Sequence, residues 1–200
     1  MTDARTRRGT GPHRDEAARQ AVLNAADNLL AEAGFDGVTM EAVAQRAGVA
    51  KQTVYRWWKS KVDILYDNLI EDAAEYLVWP GPSGPEGYSA EDLRGYLSRF
   101  VDFLEGEREG PVLRVMLGHA QLYPHTAKLL EEGLFSPLRE RDAANLCQVF
   151  PGLTAAEAEQ ALDDLFAPLF HRSLVRGVAS DAVFLDRHVQ LVTSRLTAGH

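Results

Sequence analysis

The chain has a single cysteine, Cys147, in 200 residues. That excludes an internal disulfide and any cysteine-rich zinc site. No apolar run approaches the ~18–20 residues that span a bilayer, so no membrane association is expected. The opening segment MTDARTRRGTGPHRDE has basic residues without an apolar stretch behind them, unlike a secretory signal. A cytoplasmic protein is the expectation. Signatures of catalysis are missing too, with no Gly-rich phosphate loop, GxSxG elbow or HExxH. The acidic pairs Glu131-Glu132 and Asp163-Asp164 are adjacent in sequence and diverge around a helix. His119 and His125 are separated by a break, which is poor spacing for a metal. No enzyme, cofactor or metal is expected, and Cys147, among Leu146, Val149 and Phe150, reads as core.

Lysine is scarce, with 4 Lys against 17 Arg, and the net charge is -8. The charge is uneven. Residues 1–61 carry 10 Lys+Arg against 7 Asp+Glu, whereas residues 62–200 carry 11 against 22. A basic front end on an acidic chain is compatible with nucleic-acid binding through that end.

Residues 1–14 are polar, with Arg5, Arg7, Arg8 and Arg14, and read as a flexible arm. A helical period then runs through Ala18, Val22, Ala25 or Ala26, Leu29 and Ala33 to a stop at Gly34. Thr39 is placed to cap a short helix reaching Ala47, with Val43, Ala44 and Ala47 on its apolar face and Gly48 ending it. A second short helix follows from Ala50 to Trp57. Ser60 and Asp63 have the spacing of a capping box, as do Ser89 and Asp92, and Thr154 and Glu157. WPGPSGPEG, residues 79–87, is a loop by composition. Further breaks are predicted at Gly110-Pro111, Tyr123-Pro124 and Pro151-Gly152, with another candidate at Pro137. The last two helices cover residues 154–176 and 182–196, the first of them bent at Pro168. No period-2 strand is visible. The expected fold is all-α, about nine helices. Three parts are read: the arm over 1–14, a helix-turn-helix domain over 15–60, and a helical domain over 61–200.

Two short helices joined at Gly48 and flanked by longer ones form a helix-turn-helix arrangement. Successive helical residues turn by about 100°, so Lys51, Gln52, Tyr55 and Arg56 share an outward face, and Val54 and Trp58 point inward. Such a face suits a major groove. Lys and Arg read guanine, Gln reads adenine, and Thr or Tyr holds phosphate. The N-termini near Thr39 and Ala50 offer unpaired N–H groups to phosphate. A basic face on a short helix also exists simply as a solvated surface.

The stretch VLNAADNLLAEAGFDGVTMEAVAQRAGVAKQTVYRWWKSKVDILYDNL, residues 22–69, resembles the DNA-binding domain of the tetracycline-repressor (TetR) family of transcriptional regulators. Its most specific parts are AEAGFDGVTM, the turn Ala44–Val49, and TVYRWWKSK at 53–61. The resemblance implies that Thr39 caps the first short helix and touches phosphate. It implies that Lys51, Gln52 and Thr53 face bases or phosphate, that Tyr55 and Trp57 contact the backbone, and that Lys61 binds phosphate. Arg56 occupies a variable reading position. Trp57 stands where the family often has His, and Trp58 where it usually has Phe.

Residues 78–200 carry no comparable motif, apart from a weak likeness of LDDLFAPLFHRSLVRG, residues 162–177, to the penultimate helix of one TetR subgroup. In that family the last two helices pair with those of a second subunit. Leu162, Leu165, Leu169 and Leu174, with Phe166 and Phe170, cover more than one side of a helix. Val189, Val192 and Leu196 add a stripe on the last helix. These residues either face a partner or fill the core of one subunit. A cavity for a mostly apolar small-molecule effector is expected among the C-terminal helices, with Phe100, Phe103, Leu104, Met116, His119, Tyr123, Phe166 and Phe170 as candidate lining. Core filling is the competing reading for each.

The resulting expectation is a homodimeric, effector-responsive regulator, a repressor released from a palindromic double-stranded DNA operator by its ligand. The alternative is a helical ligand- or partner-binding protein that has lost DNA binding.

Overall fold

The computed structural model describes residues 12–79, 82, 88–107 and 109–198. Arg5, Arg7 and Arg8 of the predicted arm, and most of the 79–87 loop, lie outside them. The described residues contain helices and no strand. In chain order these are α1 Pro12–Gly37, α2 Met40–Ala47, α3 Lys51–Trp57, α4 Lys61–Tyr76, α5 Ala90–Glu105, α6 Glu109–Leu122, α7 Pro124–Leu130, α8 Ser136–Val149, α9 Ala155–Phe170 and α10 Ala182–Ala198. A π-helical turn, Glu131–Phe135, joins α7 to α8 without interruption, and a second, His171–Arg176, extends α9. Counted as continuous rods, the described residues form nine helices, the number read from the sequence. The all-α expectation holds.

Two compact units divide inside α4, between Asp67 and Asn68. In the first, α1 kinks at Gly34, where the sequence predicts a stop: its backbone leaves helical geometry at φ 67 and ψ -174, and a last turn follows to Gly37. Thr39 caps α2 through its side chain, which accepts from the Ala42 N–H at 3.1 Å. Gly48 ends α2 in the left-handed region, at φ 66 and ψ 26, where a residue with a Cβ is strained. Val22, Leu23, Ala26, Val38, Val43, Val54, Ile64 and Leu65 are buried together with Trp58. The Trp58 indole N–H donates to Asp67 at 2.8 Å, and Asp67 also receives Arg19. A polar atom inside an otherwise apolar side chain is thereby satisfied.

In the second unit, the capping boxes at Ser89/Asp92 and Thr154/Glu157 are both formed. Burying one face of each helix assembles Leu93, Tyr96, Leu97, Phe103, Val112, Leu113, Met116, Leu146 and Leu165 into a core. Pro137 does not break its helix. The π turn ahead of it re-registers the backbone, with the Ser136 N–H bonded to the Glu131 carbonyl. Gly110-Pro111 falls inside the first turn of α6, which begins at Glu109, so that break lies slightly earlier than predicted. No described helix is long and apolar enough to cross a membrane.

Candidate nucleic-acid interface and helical cavity

The α3 helix is short because Ala50 starts it without a side-chain cap and Trp58 leaves it in an extended conformation. Its one buried residue is Val54. Opposite, Lys51, Gln52, Tyr55 and Arg56 are exposed, with Tyr55 at 49%. Thr39 is exposed at the start of α2, and Thr53 and Trp57 are half-buried on the flanks of the α3 face. Arg56 lies over the Trp57 ring, 5.2 Å from its centroid, and Trp57 meets Trp58 edge-on at 5.5 Å. The double tryptophan thus divides its work. Trp58 anchors the helix, and Trp57 stiffens the outer rim.

Lys61 opens α4 and is held by the end of α1. Its ammonium donates to the Phe35 carbonyl at 2.6 Å and sits 3.7 Å from the Phe35 ring centroid. That contact ties α4 to the end of α1.

Sequence reasoning missed Glu41. This exposed residue in the first turn of α2 reaches Lys51 Nζ at 3.4 Å and the Tyr55 hydroxyl at 3.3 Å through one oxygen. A hydrogen bond from its own backbone and the adjoining Lys51 hold its carboxyl below the ordinary value. The acidic residue occupies the place of an anion between the two groups. Its position ten residues before Lys51 gave no local pattern to read.

The second unit contains a cavity of about 230 Å³. Phe100, Phe103, Phe166 and Phe170 line it, together with Phe135, Leu113, Leu134 and Leu162. Phe100 meets Phe166 and Phe170 edge-on, at 4.6 and 5.3 Å. Four of the eight candidate lining residues are elsewhere. Leu104 and Met116 are fully buried core, because they point to the packed side of α5 and α6. Tyr123 is 53% exposed at the start of α7. His119 stacks on it at 4.1 Å and hydrogen-bonds Thr126 at 2.9 Å.

The polar end of the cavity was not anticipated. Asp142, buried, lines it with Tyr96. Its Oδ1 accepts from the Trp79 indole at 2.9 Å and from two nitrogens of Arg141, at 2.9 and 2.7 Å. Its Oδ2 accepts the Tyr96 hydroxyl at 2.7 Å. Burial pushes the Asp142 carboxyl up, against the opposing pull of Tyr96, Arg141 and Trp79. Burial also raises the Tyr96 phenol, with Asp142 adding to it. Arg141 reaches on to the Leu77 carbonyl at 2.6 Å.

The expected dimer residues also divide. Leu162, Leu165 and Leu169 are buried within the chain itself, as are Val189 and Val192, so they have almost no surface to give a partner. The reason is the α9 environment, where the leucines face the other helices of their own unit. Leu196 is half-buried, and Leu174 is exposed at 36%. Val175, Val178, Val183 and Leu191 are exposed beside these positions in sequence.

Two family models match this chain. "Bacterial regulatory proteins, tetR family" covers residues 22–66, and "Tetracyclin repressor-like, C-terminal domain" covers residues 85–192. The HTH-type transcriptional regulator YdeS of Bacillus subtilis is 33% identical over 173 residues, spanning 84% of this chain and 83% of YdeS. The chain belongs to the TetR family.

It is therefore a helix-turn-helix transcriptional regulator, in a family of regulators rather than of enzymes. A second TetR-family relative, the HTH-type transcriptional repressor KstR of Rhodococcus jostii, is 41% identical over 123 residues, covering 62% of this chain and 56% of KstR. Among solved structures, one from Mesorhizobium loti described as a TetR-family transcriptional regulator superposes with a TM-score of 0.69 at 20% identity. It covers 92% of this chain and 97% of its own and shares the fold. No group of three His, Cys, Asp or Glu able to hold a metal occurs among the described residues.

Proposed function

We propose that this TetR-family chain is a homodimeric, ligand-responsive repressor that acts in the cytoplasm. Residues 15–60 would grip DNA, aided by the basic residues Arg5, Arg7 and Arg8 ahead of α1, and residues 61–200 would bind the effector and the second subunit; Arg14, read from the sequence as part of the arm, lies within α1. The observation that carries this reading is the α3 face. Lys51, Gln52, Tyr55 and Arg56 are exposed together while Val54 and Trp58 are buried on the other side. Thr39, Thr53 and Trp57 flank that face as phosphate-contacting groups, and Lys61 adds charge behind it. Two such helices held by a two-fold axis fit successive major grooves of a palindrome. Leu174 and Leu196, with the exposed Val175, Val178 and Val183, supply the apolar surface for the second subunit. A mostly apolar effector in the phenylalanine-lined cavity favours a dimer whose reading helices are wrongly spaced, and lowers operator affinity by shifting that population.

Selection from a random-sequence duplex pool tests the reading. The bound fraction is expected to converge on an inverted repeat with half-sites one helical turn apart, occupied by a dimer. A pool that fails to converge, or a monomer bound to a lone half-site, would reject it.

Glu41 gives a prediction of its own. Substituting Glu41→Gln removes two negative charges per dimer from the DNA-facing surface and weakens the hold on Lys51 and Tyr55, because an uncharged amide oxygen replaces the carboxylate. Binding to random-sequence duplex should strengthen by about three- to tenfold at low salt, with the gain shrinking as salt rises. Fluorescence anisotropy across a potassium chloride series measures it.

A further inference from the structure

We propose that the cavity takes an uncharged, flat aromatic molecule of about two fused rings that donates one hydrogen bond to Asp142. The inference rests on the effector reading above and specifies its chemistry. Size comes first. The cavity, at about 230 Å³, exceeds the roughly 150 Å³ that accommodates benzene in an engineered apolar site. Two fused rings use that space better than one. Shape comes from the walls. Phe100 meets Phe166 at 4.6 Å and Phe170 at 5.3 Å, both edge-on, and an aromatic guest extends that packing.

Polarity comes from Asp142. Its two oxygens are unequally used. Oδ1 takes three N–H groups, from Trp79 and Arg141, whereas among the described residues Oδ2 takes only the Tyr96 hydroxyl. A carboxylate oxygen has room for a second donor. Tyr96 has no proton left for a ligand, because its hydroxyl donates to Asp142 while accepting from Arg141 at 2.8 Å. The cavity's polar end is therefore an acceptor and selects a donor.

Charge selection follows from the same inventory. Arg139, the cation that lines the cavity among the described residues, is paired with Asp163 at 2.7 Å. Arg141 is committed to Asp142, Tyr96 and Leu77. A ligand carboxylate would meet Asp142 without a spare cation. A ligand ammonium would have to shed its water among phenylalanines beside Asp142, which Arg141 already neutralises, and the other lining carboxylate, Glu131, is exposed and accepts the Ser136 hydroxyl at 2.9 Å.

Equilibrium dialysis of the full-length protein against four naphthalenes tests the proposal. The probes are 2-naphthol, 2-fluoronaphthalene, 2-naphthoate and 2-naphthylmethylammonium. The naphthol should bind at least about tenfold more tightly than the fluoro compound, which keeps its shape and lacks the donor. Both ions should bind more weakly than the fluoro compound. In Asp142→Asn the preference for naphthol over fluoronaphthalene should fall to near unity. Naphthoate or the ammonium binding as well as naphthol overturns the proposal, as does equal binding of naphthol and fluoronaphthalene, or no binding of any probe. Should Asp142→Asn fail to fold, the ranking on the unaltered protein decides alone. DNA release is scored separately. Naphthol that binds with this selectivity yet leaves DNA binding unchanged counts against the regulatory reading and in favour of the ligand class.

Discussion

Replacing Lys51 with Ala and Tyr55 with Phe together is expected to weaken binding to a selected operator by on the order of 100-fold. Both groups stand on the exposed face of α3, and both have a free path to phosphate once Glu41 lets go. A dimer loses each contact twice. The sequence preference should persist, because Gln52 and Arg56 are untouched. The slope of log affinity against log salt should fall in magnitude by about 2, one for each lost lysine contact. Anisotropy titrations at several salt concentrations give both numbers. An unchanged slope would place Lys51 away from the phosphates. The fold should be indifferent to the double substitution, since the anchors of α3 are Val54 and Trp58.

The second large effect concerns stability. Asp142→Ala should cost about 3 kcal/mol, seen as a lower midpoint in chemical denaturation of the C-terminal unit. The carboxylate is buried and gathers Trp79, Tyr96 and Arg141. Removing it leaves the Trp79 N–H without its acceptor and Arg141 without its counter-charge. The loss is moderated because Arg141 stays partly exposed and keeps the Leu77 carbonyl. A contrasting variant is Glu32→Ala. It breaks the exposed pair with Arg46, at 2.6 Å, and should barely move the midpoint despite that short distance.

The helix boundaries, those of the helix-turn-helix included, were legible because their signals are local. Thr39, Gly48 and the pairs Ser60/Asp63, Ser89/Asp92 and Thr154/Glu157 act within four residues of one another, and the structure forms each of them. The facing of Val54 and Trp58 followed from helical geometry alone. The cavity was half legible. Phe100, Phe103, Phe166 and Phe170 line it, but Leu104 and Met116 on the same helices do not. Periodicity says which side of a helix is apolar; it does not say whether another helix or a void lies opposite. The same limit explains the leucines of α9, whose apolar face is used up inside one chain. The Asp142 cluster was beyond reach for another reason. Its aromatic members, Tyr96 and Trp79, are 46 and 63 residues from Asp142 in sequence, and no pattern links an aspartate to such distant aromatic groups.

The two π turns have an evolutionary corollary. Each packs one residue more than an α turn of the same rise. Dropping a single residue from Glu131–Phe135, or from His171–Arg176, would restore ordinary α geometry while leaving the flanking stretches aligned. A chain with this fold could lose one amino acid at either point and keep its flanking helices aligned. Phe135 closes the first turn and Phe170 directly precedes the second, so each such deletion would re-aim a wall of the cavity. Changes of length too small to alter the architecture would thereby reshape the cavity.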